Sequence, residues 1–493
     1  MTAPAVRSSG YARDALLAAA SRMAPLGVQL ASAPFLLSHL SPGGFAAWTL
    51  TMTTINLFLS ADLGVVGIMQ RYHGIAIGRG DSALGGRVTA TVLTVLGALL
   101  VVLAVAGPWI SDAILHVVDI PAEAADDAGL LFRHAGALAA LQLTALALSS
   151  YLAAHSRFLA VAAASIIARA VLAGGIVVAV VSGTGLRGLL LAAYADAVVA
   201  VLVTAFLCRK HLVREVRGLA RAAELSELWA YSWRNQASAF GFIAQRELDV
   251  LMAGILLPTA AWVSVSAVAP LAAAASLAPA VLLTPLFTRL SVRAGESLPA
   301  AAAEAEVAER AWRSLLLPFG ALVVVILPFA AAAWLGPTVD DVVPLTALLS
   351  AGFVLSLAGL VRAMAARAVG SPGLETRAYA VLVTVKVVVG TALVLLFGVY
   401  GLAAATIVAG ASFLISITRA TRNRQIMGRT PPPPARLTAG TALLALACGS
   451  AAAAVHHIVD GRLVQLALLV VIALAGALGA FLLYRSSEQP REA

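Results

Sequence analysis

The chain alternates between long apolar runs and short polar gaps, and this pattern constrains its fold more than any other feature. We identify about fourteen runs of roughly 20 residues, each long enough to cross about 30 Å of hydrocarbon at 1.5 Å per residue. They lie near residues 15–38, 44–62, 88–108, 130–153, 157–181, 186–207, 230–256, 264–288, 314–335, 343–366, 376–397, 400–419, 437–456 and 464–484. The sequence therefore predicts an all-α polytopic membrane protein with about 14 transmembrane helices.

The arginines concentrate in every second gap. Three Lys+Arg residues lie in or beside the intervening gaps, at Arg133, Arg187 and Arg462, and five lie deeper inside apolar runs, at Arg22, Arg169, Arg234, Arg246 and Lys386. The other 25 of the 33 lie in or beside the terminal tails and the even-numbered gaps. Because short loops rich in Lys and Arg stay in the cytoplasm, we expect a multi-pass protein of the bacterial inner membrane with both termini cytoplasmic.

Composition excludes several classes of function. Hydrophobic residues make up 61% of the chain and charged residues 12%, whereas a soluble domain has about 25% charged residues. The net charge of +9 is spread over many loops, so topology and contact with anionic lipid headgroups explain it better than a nucleic-acid partner does. The only two lysines, Lys210 and Lys386, lack the preceding glycine of a phosphate-binding loop. No ATP site, cofactor or metal site is expected.

Candidate catalytic residues are few. The outward-facing gaps carry two acidic pairs, Asp126–Asp127 and Asp340–Asp341, which could hold a metal or act as acid and base in a membrane enzyme. These gaps are short and offer no large catalytic loop, so solvated loop carboxylates are the simpler interpretation. Cys208 and Cys448 lie far apart in the chain and cannot form a disulfide framework or a metal cluster.

Two sequence echoes at nearly one offset predict an internal repeat. Trp48 and Trp262 close similar short gaps and are 214 residues apart, and Gly188 and Gly401 open similar runs and are 213 residues apart. A duplicated unit of six helices is a parallel repeat, and substrate sites in such folds lie between the two halves. We expect a six-helix lobe at 1–222, a second at 223–425, and two extra helices with a tail at 426–493. The four prolines at 431–434 should detach these two helices from the core, and 294–310 should form a cytoplasmic connecting helix.

Four cations lie deep in the predicted spans, at Arg22, Arg169, Arg246 and Lys386. A charge at the bilayer centre costs about 2.5–3.5 kcal/mol on insertion scales, so such residues usually face a cavity or a partner. Guanidinium groups match phosphate oxygens in shape and charge. These four residues, which occur in both lobes, are therefore predicted to line a cationic, substrate-binding lumen.

Deep acidic residues leave alternatives open. Asp196, Glu247 and Asp249 could serve as ion-pair partners or as coupling groups for a driving ion. Arg246 and Asp249 are three residues apart, so they share a helix face and could neutralise each other. Asp196 could instead pair with Arg169 on the neighbouring helix. Lys386 has no acidic residue within its own span.

The chain resembles the multidrug/oligosaccharidyl-lipid/polysaccharide exporter superfamily, and within it the polysaccharide-biosynthesis or O-antigen flippase branch. The resemblance rests on the 6+6+2 arrangement and on four stretches: Leu40-Ser41-Pro42 with Phe45-Ala46-Ala47-Trp48; Ala61-Asp62-Leu63-Gly64 through Gln70-Arg71-Tyr72; Arg246-Glu247-Leu248-Asp249-Val250-Leu251 running to Leu257-Pro258; and Thr284-Pro285-Leu286 before Arg289. It covers nearly the whole chain with degenerate motifs.

The resemblance implies a function for this arrangement. Two lobes would alternate access around a cationic lumen and carry a glycan on a polyprenyl diphosphate to the outer leaflet, for cell-surface polysaccharide synthesis. Membrane lipids, a glycan polymerase and the glycosyltransferases of the pathway would be partners, and the protein would be a transporter and not an enzyme. The alternatives are a cation-coupled exporter of small molecules with the same fold and an integral-membrane glycan polymerase or ligase.

Overall fold

The structure is a computed structural model. It describes residues 31–60, 81–118, 122–155, 157–217, 225–283, 297–337, 339–429 and 431–488, together with positions 17, 24, 25, 27–29, 69, 286, 290, 293 and 294. Within these ranges every regular element is a helix. In chain order the α-helices are α1 Pro42–Ser60, α2 Ser82–Val117, α3 Ala122–Ala154, α4 Phe158–Val181, α5 Gly185–Arg217, α6 Leu225–Leu256, α7 Thr259–Leu277, α8 Leu298–Leu335, α9 Val342–Leu357, α10 Leu360–Ala368, α11 Gly373–Asn423, α12 Ala435–Ile458 and α13 Arg462–Glu488.

These helices make the chain a multi-pass membrane protein. Ten helical stretches in the described residues are long and apolar enough to cross a membrane. One of them, α11, is 51 residues long and contains two of the predicted runs. Ten of the 24 residues of the first predicted run lie outside the described residues, and so do most residues of the stretches Ala61–Tyr72 and Thr284–Arg289 of the resemblance.

The chain divides into two compact units, Met1–Ile243 and Ala244–Ala493. The boundary falls inside α6. In the first unit α4 packs on α5, and α3 packs on α1, α2 and α5. In the second unit α9 packs on α7, α8 and α11, and α8 also packs on α12 and α13. The three-part division expected from the sequence, with boundaries near 222 and 425, stays a prediction.

The predicted repeat has a matching backbone feature in each unit. Gly185, which begins α5, has φ of 57°, and Gly398, inside α11, also has φ of 57°. The left-handed region that this angle occupies is open to glycine at little cost. Three residues later, Gly188 lies against Ala179 and Gly401 lies against the Leu393 carbonyl. Both contacts require the chain to double back, so α11 is two membrane-spanning arms joined at Gly398.

The expectation that the four prolines detach the last two helices is wrong. Helices α12 and α13 pack against α8 in one apolar cluster. This cluster comprises Leu322, Ile326, Ala333, Cys448, Ala452, Leu469 and Ala480. Small side chains on α12 let its backbone approach that of α8, which is the usual way helices associate in lipid.

The connecting helix expected at 294–310 is present but continuous with the next span. Helix α8 begins at Leu298, where the Ser297 hydroxyl accepts a hydrogen bond from the Ala300 amide at 3.2 Å. Its 38 residues extend about 57 Å at 1.5 Å per residue. That length exceeds the roughly 40–45 Å of a whole bilayer, so the first turns of α8 project beyond the hydrocarbon core.

Candidate functional site

A fully buried ion pair joins two distant segments of the second unit. Lys386 lies on the first arm of α11 and Asp249 lies on α6, and both side chains have no exposed surface. The Lys386 Nζ donates to Asp249 Oδ2 at 2.9 Å and to the Gln245 carbonyl oxygen at 2.5 Å. The two residues are 137 positions apart in the chain. Sequence spacing gives no signal for such a pair.

The surroundings of this pair satisfy both charges. The Thr406 hydroxyl, on the second arm of α11, donates to Asp249 Oδ1 at 2.7 Å. The Lys386 Nζ also lies 5.8 Å from the centre of the Phe353 ring on α9, within reach of a cation–π interaction. Both carboxylate oxygens of Asp249 are therefore bonded, and the pair ties α6 to both arms of α11.

Two sequence-based expectations change with this geometry. The prediction that Arg246 and Asp249 neutralise each other is wrong, because Asp249 faces Lys386 and Arg246 bonds its neighbour Glu247. The Arg246 Nε and Nη2 donate to the same Glu247 oxygen, at 2.9 and 2.7 Å. The Lys386 ammonium, buried and already bonded, offers no surface to a cargo. Arg246 keeps 30% of its side chain exposed, so it remains available for contact.

The first unit contains a second deep ion pair. Arg169 on α4 donates to Asp196 on α5, with Nη2 and Oδ2 2.6 Å apart. The side chain of Asp196 is buried, whereas that of Arg169 is 20% exposed. The pairing expected between these neighbouring helices is confirmed. Among the residues that the structure describes, the other oxygen, Asp196 Oδ1, has no hydrogen-bond partner.

Arg169 also lines a cavity of about 470 Å³ within the first unit. The cavity wall is mainly apolar, with residues such as Leu146 and Phe158. Its polar positions are Gln142, Ser149, Ser150, Ser165, Arg169 and Thr204. Ligand sites in proteins typically combine an apolar wall with a few polar groups. The arrangement can accept an anionic or hydrogen-bonding group beside a partly exposed guanidinium.

A third charged cluster, which the sequence did not reveal, lies near the start of the apolar part of α8. Arg362, counted from the sequence among the arginines of a cytoplasmic gap, is buried. Its Nε donates to Glu309 at 2.7 Å, its Nη1 to Thr421 at 3.1 Å and its Nη2 to the Gly428 carbonyl at 3.0 Å. Arg313 donates to the same Glu309 oxygen at 2.6 Å. The cluster joins α8, α10, the end of α11 and the segment before the prolines.

The remaining candidate residues carry no catalytic or metal arrangement in the part of the chain that is described. No group of three or more His, Cys, Asp or Glu side chains that could hold a metal is found there. Asp127, of the first acidic pair, bonds Arg187 at 3.2 Å in an exposed ion pair. Asp341, of the second, occupies the cap position before α9. Arg22 and the side chain of Arg234 lie outside the described residues.

The fold has solved counterparts. An inward-facing multidrug resistance MATE family transporter of the MOP superfamily matches with a TM-score of 0.67 and 14% identity, over 84% of this chain and 98% of that chain. The lipid II flippase MurJ, in an inward closed conformation, matches with a TM-score of 0.58 and 12% identity, over 96% and 99%. The chain has the fold of these transporters. A Vibrio cholerae MATE transporter, VcmN, matches with a TM-score of 0.56 and 15% identity, over 85% and 98%.

Sequence comparisons add no closer relative. No family model matches the chain, and no curated protein matches it. The MATE transporters and MurJ match different shares of this chain. The match to MurJ leaves 4% of the chain unmatched, about 20 residues. Helices α12 and α13 hold 24 and 27 residues, so the MurJ match must include much of this extra pair.

Proposed function

We propose that the protein flips a polyprenyl-diphosphate-linked glycan from the cytoplasmic to the outer leaflet, for the synthesis of a cell-surface polysaccharide. The observation that carries this proposal is the nearly complete coverage by a flippase with a lipid cargo. The MATE matches leave a larger part of the chain unmatched. In this proposal, helices α12 and α13, which pack on α8, belong to the part of the protein that moves the cargo.

The deep arginines suit a lipid diphosphate. Such a headgroup carries roughly two negative charges that must cross about 30 Å of hydrocarbon, and forked guanidinium donors can replace part of its hydration. Of the four cations expected to line a lumen, we retain Arg169 and Arg246, whose side chains keep exposed surface. Each is already paired with a carboxylate, so phosphate binding stays weak enough for release.

A second candidate function is export of small molecules coupled to a cation. It is favoured by the higher TM-score of the MATE match and by the Asp196 carboxylate, one oxygen of which is unbonded among the described residues. A buried carboxylate whose arginine partner lines a cavity could take up and release a proton or a metal cation. We place this candidate second because it gives no role to α12 and α13.

Localisation and partners follow from the proposed cargo. The protein would lie in a bacterial inner membrane with both termini cytoplasmic, and would receive glycan from glycosyltransferases and deliver it to a polymerase outside. Reporter fusions after residues 87 and 310 should both report the cytoplasm, and fusions near residues 126 and 340 the outside. Opposite locations for the fusions at 87 and 310 would contradict the parallel repeat.

A flipping assay in proteoliposomes tests the proposal. Wild-type protein should move a fluorescent polyprenyl-diphosphate glycan between leaflets without ATP, and Arg169→Gln should slow this movement at least tenfold. Arg187→Gln is the matched control, because Arg187 forms an exposed ion pair with Asp127 in the same unit. The single variant leaves the Asp196 carboxylate without its ion-pair partner. The double variant Arg169→Gln/Asp196→Asn removes that charge as well. If this double variant flips normally, Arg169 is a structural partner and not a cargo ligand.

A further inference from the structure

The second unit contains a long apolar groove that the proposed transport cycle does not use. It has a volume of about 950 Å³ and lies between α8, α9 and the second arm of α11. Its wall is formed by side chains such as Leu317 and Val324 on α8, Leu355 on α9, and Ile407 and Leu414 on α11. Every residue that lines it belongs to the second unit, so the groove exists within that unit alone.

One end of the groove is cationic and polar. Arg313, Thr418 and Arg419 lie at this end, beside Pro433. Among the described residues, the Arg313 Nε and the Thr418 hydroxyl are buried and make no hydrogen bond. Native structures rarely leave buried donors unsatisfied, so each such atom calls for a partner. Two donors without acceptors at the end of a groove indicate that a polar group of a ligand lies at that point.

A smaller pocket of about 380 Å³ adjoins this end. It is lined by Arg310, Arg313, Ser314 and the prolines at 431–434, and it shares Arg313 and Pro433 with the groove. The nearby acid, Glu309, is buried and already accepts hydrogen bonds from Arg313 and Arg362. Glu306, on the same helix, is also engaged, because it accepts a hydrogen bond from the Gly428 amide at 2.7 Å. Four arginines, Arg310, Arg313, Arg362 and Arg419, and two engaged carboxylates leave a net positive site, which selects an anion.

The dimensions match one leaflet of a bilayer. On α8 the lining extends from Arg313 to Val325, twelve residues or about 18 Å at 1.5 Å per residue. The hydrocarbon core is about 30 Å thick, so the groove accommodates a chain that crosses roughly half of it. An acyl chain in the groove would place its headgroup at the arginines, at the predicted cytoplasmic end.

We propose that this groove binds one anionic phospholipid of the surrounding bilayer. Its acyl chain lies along the apolar wall, and its phosphate accepts hydrogen bonds from Arg313, Thr418 and Arg419. The bound lipid completes the contacts between α8, α11 and the proline segment. It therefore stabilises the junction that positions α12 and α13. The proposal is independent of the cargo, since no residue of the two deep ion pairs takes part.

Native mass spectrometry of the full chain tests this assignment. The purified protein is titrated with phosphatidylglycerol or with phosphatidylcholine of the same acyl chains. One phosphatidylglycerol should bind at least about tenfold more tightly than phosphatidylcholine, which corresponds to about 1.4 kcal/mol. Arg419→Gln should remove this preference, and Arg422→Gln, an exposed arginine one turn further along α11, should retain it. Equal binding of both lipids by the wild type overturns the proposal.

Two further measurements test whether the apolar wall holds the lipid and whether the ligand is a bilayer phospholipid or the cargo lipid. Val324→Trp should fill the groove and abolish the tight site, whereas Val471→Trp, at an exposed position on α13, should not. An unchanged tight site in the Val324 variant overturns the assignment to this groove. Undecaprenyl phosphate should not displace the bound phosphatidylglycerol at equal concentration. Displacement would assign the groove to the cargo and contradict a structural lipid.

Discussion

Replacing Lys386 by methionine removes one partner of an ion pair that is fully buried in the second unit. Asp249 would keep its hydrogen bond from Thr406 at 2.7 Å but lose the ammonium at 2.9 Å. Breaking a buried pair in this way costs about 3–5 kcal/mol, because the remaining charge has neither solvent nor an opposite charge beside it. For a unit of about 250 residues this lowers the melting temperature by roughly 6–20 °C.

A second, double variant removes both the Lys386 ammonium and the Asp249 carboxylate. Lys386→Met with Asp249→Asn leaves an amide oxygen to accept from Thr406 and no buried charge. Its stability should return to within about 1 kcal/mol of the wild type, since replacing a whole buried pair is often neutral. Melting is followed by size-exclusion chromatography of detergent-solubilised protein after heating.

An exposed pair supplies the control. Arg133→Gln breaks a contact of 3.8 Å between Arg133 and Asp112, whose side chains are largely in solvent. Such pairs contribute little to stability, so the melting temperature should stay within about 2 °C. A Lys386→Met variant that melts with the wild type, or a double variant no better than the single one, would refute the assigned role of the pair.

The other buried features give further predictions. Arg362→Gln removes hydrogen bonds that join α8, α10 and α11 and should lower stability by about 3–5 kcal/mol, whereas the exposed Arg424→Gln should have no effect in the same melting assay. Gly398→Ala places a side chain at a φ of 57° and should cost about 1–2 kcal/mol. Gly174→Ala, in helix α4 with open space at the added atom, should not destabilise the protein, and equal losses from both glycine variants would contradict the hairpin at Gly398.

Helix positions were largely predictable because the bilayer sets them. The run predicted at 157–181 is Phe158–Val181 in the structure, and the run predicted at 437–456 is Ala435–Ile458. Apolar length is a local property, so it can be measured directly along the chain. The helical extension of α8 and the packing of α12 on it depend on contacts between segments, and a proline count could not reveal them.

Ion pairs were predictable only between neighbouring helices. Arg169 and Asp196 lie on consecutive spans joined by a short turn, so their pairing could be anticipated. Lys386 pairs with Asp249, and Arg362 pairs with Glu309 on α8, although the partners are far apart in the sequence. Spacing along a helix suggested Arg246 with Asp249 instead, because the i, i+3 rule applies to exposed helix surfaces and ignores partners on other helices.

The distribution of lipid-linked glycan in cells tests the central proposal most directly. Deletion of the gene should cause one undecaprenyl-diphosphate glycan to accumulate on the cytoplasmic leaflet, where added enzymes outside the membrane cannot reach it. Wild-type protein should restore its export, and the double variant of Arg169 and Asp196 should not, although it is present at a normal level. Unchanged glycan lipids, together with a loss of resistance to small toxic compounds, would contradict the flippase proposal and favour the exporter.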